Sequence, residues 1–355
     1  MTVRTRTDLE VLPNYLPGRT IPGAVKLASN EVSAGPLPSV RKAIADAAGE
    51  VNRYPDNGWA ALVDRLARRF DVAPAQLAVG CGSVTLCQQL VHATCTPTDE
   101  VLFGWRSFEA YPLIASVTGV RQRRVPLTGG HELDLDAMAA AITPATRLIF
   151  VCTPNNPTGT ALGERELRRF VDAVPSDVLV VLDEAYREFV NDPEVPDGLD
   201  FLRAQAAAGR DNIAVLRTFS KAYGLAGLRI GYCVASESVT EALRKVYVPF
   251  GVSSVAQAAA IASLDAEGEL MQRCAEVVAE RGRVRDALLD AGYEVPPTQA
   301  NFVWLPLGAR TDEFNEHCLE HKVVVRAFSS DGARVTVGEP AENDAFLSAA
   351  RSFVP

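Results

Sequence analysis

The sequence predicts an α/β fold: a large domain on a mainly parallel sheet with helices on both faces, then a smaller α+β C-terminal domain. Three observations lead there. Short runs of Val, Ile and Leu, apolar on both faces, alternate with stretches of helical periodicity, the pattern of strands buried between helix layers. After about Val239 the pattern changes to a long helical region followed by several strands and a closing helix. The chain has 355 residues, 48% of them hydrophobic, which exceeds one average domain and suffices for a sizeable core.

Taken in order, "QLAVG" (76–80) reads as a strand and "SVTLCQQLVHAT" as the helix after it. "EVLFG" (100–104) is followed by a helix in "SFEAYPLIASVTG". Further strands fall in "RLIFVCTPN" (147–155), "VLVVLDEAY" (178–186), "NIAVLRTFS" (212–220) and "RIGYCVA" (229–235), with helices such as "GERELRRFVDAV" between them. Residues 254–291 are largely helical. Then come "NFVWLPL" (301–307), "KVVVRAF" (322–328), "ARVTVG" (333–338) and the helix "ENDAFLSAARSF". The expected division is an arm over 1–40, a large domain over 41–245 and a small domain over 246–355. The arm is rich in Pro, Gly and Asn and is ordered only where it packs on something.

The net charge of −9, from 35 basic and 44 acidic residues, argues against nucleic acid as a partner but leaves room for an anionic small ligand held by local arginines. The first residues, "MTVRTRTDLEVLPNY", lack the apolar core of a signal peptide, and no apolar run is long enough to span a membrane. Cysteines at 81, 87, 95, 152, 233, 274 and 318 form no CxxC pair and are odd in number, as expected of reduced thiols in a cytoplasmic protein. His317 and His321, four apart around Cys318, have the spacing of two zinc ligands on a helix. No third ligand is evident, so no metal is expected.

Polar clusters sit at the carboxyl ends of the expected strands, where ligands of open parallel sheets gather. "VGCGSV" opens a helix, and Gly80 and Gly82 let the backbone approach an anion at its free N–H groups. The segment departs from GxGxxG, which argues against a dinucleotide. "CTPNNPTG" (152–159) offers the Asn156 amide. "LDEAY" (182–186) places Asp183 after an apolar run, where a carboxylate needs a cation or several donors, with Tyr186 three residues on. Lys221 follows "NIAVLRTF", with Thr218 and Ser220 before it and Arg229 beyond. As a set these meet the needs of pyridoxal 5′-phosphate: N–H groups, hydroxyls and an arginine for the phosphate, a carboxylate for the ring nitrogen, donors for the 3′ oxygen and a lysine for the aldehyde.

With "SNE" (29–31), "RYPD" (53–56), "PNNPTG", "DEAY" and "SKAYGLAGLRIGY", the sequence resembles the fold-type I aminotransferases, in the histidinol-phosphate aminotransferase branch. Within that branch, "GCGSVTLCQQL", "GWRSFEAYP", "KVYVPFGVSS" and "QANFVWLPLG" resemble the actinobacterial aromatic amino acid aminotransferases. The resemblance runs from about Ala28 to the C-terminus. It implies a seven-stranded sheet in the large, cofactor-binding domain and a homodimer with shared active sites. It implies that Lys221 carries the cofactor's aldehyde and acts as base, that Asp183 pairs with the ring nitrogen, and that Asn156 and Tyr186 donate to the 3′ oxygen. By the same resemblance Phe108 would stack on the ring, in place of the tyrosine that related sequences often carry. Gly82, Ser83, Val84, Thr218, Ser220 and Arg229 would hold the phosphate, and Tyr54 would reach the phosphate of the neighbouring subunit. Arg334 would grip the substrate carboxylate and Asn30 would lie near the substrate; Arg326 is open to two readings, a second arginine for the substrate's anion or a partner of an acidic neighbour at the domain surface. "SNEVSAGP" departs from the branch's NENP pattern.

The reaction implied is a ping-pong transfer of the amino group of phenylalanine, tyrosine or tryptophan to 2-oxoglutarate. Histidinol phosphate is the competing donor, since an arginine fork suits carboxylate and phosphate alike. Tyr15, Phe108, Tyr111 and Phe328 are candidates either for a ring-binding pocket or for core. Other classes fit less well. A decarboxylase on the same fold needs no oxo acid, a nicotinamide oxidoreductase needs no lysine linkage, and a regulator with an aminotransferase-like domain needs a DNA-binding segment.

Overall fold

The computed structural model describes residues 3–10 and 21–353; Tyr15 lies outside them. Seven strands form the main sheet: β1 (Leu77–Gly80), β2 (Glu100–Trp105), β3 (Arg121–Pro126), β4 (Thr146–Cys152), β5 (Leu179–Asp183), β6 (Ile213–Thr218) and β7 (Gly231–Ala235). Their spatial order is β1-β7-β6-β5-β4-β2-β3. Only β7 runs antiparallel to its neighbours β1 and β6; the other pairings are parallel. The sheet is therefore the mainly parallel one the sequence predicts.

Alternation along each strand divides the core in two. Val180 and Leu182 of β5, with Ile213 and Val215 of β6, face helices α1 (Pro38–Ala48) and α2 (Ala60–Phe70). Leu179, Val181, Ala214 and Leu216 face α3 (Ser83–Thr94) and α4 (Ala110–Thr118). The helix Ser254–Asp265 joins the first face through Ala256, Ala259, Ala260 and Leu264.

This alternation also sorts the polar residues at the strand ends. Asp183 and Thr218 continue the α3/α4 side, and Arg217 and Glu184 the opposite one. Arg217 donates from Nε and Nη2 to Glu184 Oε2 at 3.0 and 2.8 Å, and from Nη2 to Asp197 at 2.8 Å. A buried ion pair thus ties the ends of β5 and β6 together directly behind the residues that enter the site.

A second sheet holds β8 (Phe302–Leu305), β9 (Arg326–Phe328) and β10 (Gly332–Thr336) in the antiparallel order β9-β10-β8. It packs with the helices Glu267–Asp290, Thr311–Glu320 and Pro340–Ser352 around Val303, Leu305, Phe314 and Phe346. "KVVVRAF" splits in two: Val323–Val324 pairs in parallel with Val25–Lys26, and Arg326–Phe328 pairs with β10.

The N-terminal segment is ordered by that pairing. Leu27 is buried in the second core, and its carbonyl accepts the Thr336 N–H at 2.9 Å. Asn30 adopts a left-handed φ of 54°. Its N–H donates to Thr336 Oγ1 at 2.9 Å, and Thr336 Oγ1 donates to its Oδ1 at 3.1 Å. The departure of "SNEVSAGP" from the branch pattern leaves Asn30 anchored to β10.

Candidate active site

A cleft of about 650 Å³ opens at the carboxyl ends of β4, β5 and β6, walled by α4 on one side and β9–β10 on another. Asn30, Ser83, Val84, Phe108, Asn156, Asp183, Tyr186, Thr218, Ser220, Lys221, Arg229, Arg326 and Arg334 all line it. Gly82 stands immediately behind. Tyr54 is not brought into it: the ring is 84% exposed and lies against Phe250, centroids 4.7 Å apart.

Lys221 occupies the bend after β6, and its Nζ donates to the Ser29 carbonyl at 3.2 Å. Burial, assisted by Arg334, pushes its ammonium down from 10.5 to about 7; Glu31 pulls the other way, and Arg229 adds the smallest push downward. Near neutrality the amine is therefore available both as nucleophile and as base.

Asp183 ends β5, fully enclosed. Its Oδ2 accepts the Tyr111 hydroxyl at 2.7 Å, while its Oδ1 is buried with no hydrogen-bond partner among the described residues. Burial pushes this carboxyl up to about 6, and the Tyr111 hydrogen bond works against that shift. An orphaned buried carboxylate oxygen facing a cleft calls for a cationic donor. A protonated ring nitrogen is such a donor.

An anion cradle lies beyond. Gly82 caps α3 at φ 78°, and no side chain caps that helix, so its first N–H groups face the cleft with the favourable end of the helix dipole. A Cβ at Gly82 would collide with the Arg229 guanidinium. Arg229 Nη1 donates to Ser220 Oγ at 3.1 Å, and Thr218 Oγ1 accepts the Ser220 N–H at 3.1 Å. N–H groups, two hydroxyls and an arginine thus converge as a phosphate requires.

Between these ends, Asn156 Oδ1 accepts a hydrogen bond from Arg334 Nη1 at 2.5 Å, which leaves its amide N–H₂ to act as donor. Tyr186 is buried, and its oxygen accepts Asn30 Nδ2 at 2.9 Å, leaving the phenolic proton to donate. Arg334 Nη2 donates to the Ala28 carbonyl at 2.7 Å. Arg326 is paired with Glu109 at 2.9 Å.

Sequence reasoning offered Tyr111 for a ring pocket or for core. The structure buries it, stacked on Phe150 with centroids 4.4 Å apart and planes 3° apart, beneath the site rather than lining it. Its hydroxyl positions Asp183, a role with no sequence signal because the partner lies 72 residues away. The only hint is its place three residues after Phe108, which it meets edge-on at 5.5 Å. Phe328 packs on Trp304 in the second sheet. His317 Nε2 lies 3.0 Å from the Ala349 carbonyl and His321 Nδ1 2.9 Å from the His317 carbonyl. No group of His, Cys, Asp and Glu among the described residues has the makings of a metal site.

A phosphate cradle, a carboxylate for a ring nitrogen and a half-buried lysine of lowered pKa, on this doubly wound sheet, define a pyridoxal-phosphate-dependent enzyme of fold type I. The chain belongs to the class I and II aminotransferase family, which it matches over residues 22–349. It is 61% identical over 352 residues to the aromatic amino acid aminotransferase of Rhodococcus jostii (strain RHA1), covering 99% of this chain and 96% of that one. It is 57% identical over 353 residues to the aromatic amino acid aminotransferase of Mycobacteroides abscessus, covering 99% and 100%. Its fold is similar to the crystal structure of histidinol-phosphate aminotransferase from Sinorhizobium meliloti in complex with pyridoxal 5′-phosphate, with a TM-score of 0.89, 28% identity, and 99% and 98% of the two chains covered.

Proposed function

We propose that this aminotransferase moves the amino group of phenylalanine, tyrosine and tryptophan to 2-oxoglutarate, giving the aromatic oxo acids and glutamate. The observation that carries the substrate class is the wall of the cleft: Ala110, Leu113, Ile114 and Val117 line it together with Phe108. Their i, i+3, i+4, i+7 spacing makes one apolar face of α4, suited to a ring rather than to a charged side chain. The names of the relatives from Rhodococcus and Mycobacteroides support the same reading.

Bound pyridoxal phosphate supplies the electron sink that makes the substrate Cα–H acidic. The chain's residues do the rest. Asp183 Oδ1 would keep a positive charge on the ring nitrogen, and Tyr111 holds that carboxylate in place. Asn156 and Tyr186 would donate to the 3′ oxygen, Phe108 would cover one ring face, and Gly82, Ser83, Val84, Thr218, Ser220 and Arg229 would hold the phosphate. Arg334 orients the substrate carboxylate, and Asn30 fixes Tyr186 beside it. Lys221 Nζ, freed when the incoming amine takes its place, would accept the Cα proton and pass it to the cofactor's aldehyde carbon, and with the second substrate would carry a proton the opposite way, so the kinetics are expected to be ping-pong. Turnover of phenylalanine and of histidinol phosphate, each with 2-oxoglutarate, tests the assignment. Phenylalanine is expected to have the higher kcat/KM, and a strong preference for histidinol phosphate reverses it.

The exposed pair of Tyr54 and Phe250, with Val248 beside them 63% exposed, supports a homodimer in which Tyr54 reaches the cofactor phosphate of a second copy. Sedimentation velocity is expected to give twice the chain mass; a monomer carrying full activity contradicts shared sites. Seven free thiols support a cytoplasmic location, and no helix among the described residues is long and apolar enough to cross a membrane.

A further inference from the structure

We propose that Glu109 sets the enzyme's choice between amino donors, by occupying Arg326 so that an uncharged ring is accepted and a side chain ending in a phosphate ester is refused. The proposal rests on the reading of the chain as an aromatic amino acid aminotransferase and deepens it.

Arg326 and Arg334 are directly paired across the antiparallel strands β9 and β10. Side chains in that register project from the same face about 5 Å apart, and both arginines line the cleft. Either guanidinium fork fits a carboxylate or a phosphate. The two are engaged differently. Arg334 meets the Asn156 amide oxygen and the Ala28 carbonyl. Arg326 Nη2 donates to both oxygens of Glu109, at 3.2 and 2.9 Å. Its guanidinium also sits 5.6 Å from the Phe328 ring centre.

Glu109 immediately precedes α4 and lines the cleft next to that helix's apolar face. A donor with a terminal phosphate must take Arg326 from Glu109 and then set a charge of about −1.5 to −2 beside the displaced carboxylate, a larger like-charge penalty than the single terminal carboxylate of 2-oxoglutarate meets there. An aromatic ring leaves the pair closed and uses the apolar wall instead. A solvent-exposed ion pair adds little to stability; within a binding cleft the same pair acts through discrimination.

A plainer role is a clasp between the two sheets, and the structure supplies the control. Arg106 and Asp331 form a second ion pair between the same segments, and neither residue lines the cleft. Steady-state kcat and KM are measured for phenylalanine and for histidinol phosphate, with 2-oxoglutarate as acceptor. The proteins are wild type, Glu109→Gln, Asp331→Asn and the double variant Glu109→Gln/Arg326→Gln, each loaded with pyridoxal phosphate and checked for a wild-type visible spectrum. Glu109→Gln is expected to raise the kcat/KM ratio of histidinol phosphate to phenylalanine by about tenfold or more, chiefly through a lower KM for histidinol phosphate. Asp331→Asn is expected to leave the ratio at the wild-type value, and the double variant to lose the gain. An unmoved ratio in Glu109→Gln, or an equal shift in Asp331→Asn, overturns the proposal. Failure of the wild-type enzyme to turn over phenylalanine is a separate outcome and sinks the underlying reading instead.

Discussion

Lys221→Ala is expected to lose about ten-thousand-fold in turnover, the upper range for removal of a positioned general base, while still taking up pyridoxal phosphate. The cofactor's phosphate and ring would be held by groups the substitution leaves in place: the α3 N-terminus, Ser220 with Arg229 at 3.1 Å, and Asp183. What disappears is the amine whose ammonium is pushed down to about 7 by burial and by Arg334 and Arg229. Lys221→Arg keeps a cation and should fail equally, since a guanidinium stays charged. Turnover assays on protein of confirmed fold check both. Near-wild-type rates in either variant contradict the account.

Asp183→Asn carries the second largest expected loss, about a hundredfold to a thousandfold in kcat, with cofactor affinity weaker by about 2–5 kcal/mol. An amide of the same shape still accepts from Tyr111, so the position is kept while the charge opposite the ring nitrogen is gone. A pH signature separates charge from shape. In the cofactor-free chain burial holds this carboxyl up at about 6, so it takes up a proton as pH falls through that value and can no longer draw a cationic ring. Cofactor affinity of the wild type is therefore expected to fall as pH drops below about 6. Asp183→Asn removes that component, which fluorescence titration at several pH values reads directly.

These two residues are also the ones most legible in the sequence. Asp183 ends a run of Leu and Val that reads as a strand buried on both faces, and an acid there has few explanations other than a partner. The buried strands β1, β2, β4, β5, β6 and β7 were visible for the same reason. β3 was not: of "RQRRVP" only Val125 is buried, because the strand lies at the sheet edge, where arginines face solvent and guard against unwanted pairing. "KVVVRAF" read as one strand because its apolar pattern is continuous; the break at Val325 reflects a change of partner between the N-terminal segment and β10.

Within the site, residues carried by short motifs at strand ends were recoverable, because the backbone itself places them. Residues that act through distant contacts were not. Tyr111 looks like any helix aromatic until Asp183 is set above it, and Glu109 looks like a surface acid until β9, 217 residues on in sequence, brings Arg326 to it. Tyr54 shows the limit in another way: its motif is legible, yet its own chain leaves it facing outward.

The central claim is that the Lys221 amine carries the cofactor. The direct measurement is borohydride reduction of the chain loaded with pyridoxal phosphate, followed by proteolysis and mass spectrometry. A stable pyridoxyl group is expected on the peptide containing Lys221. An unmodified Lys221 peptide, with the label absent or on another lysine, would contradict it.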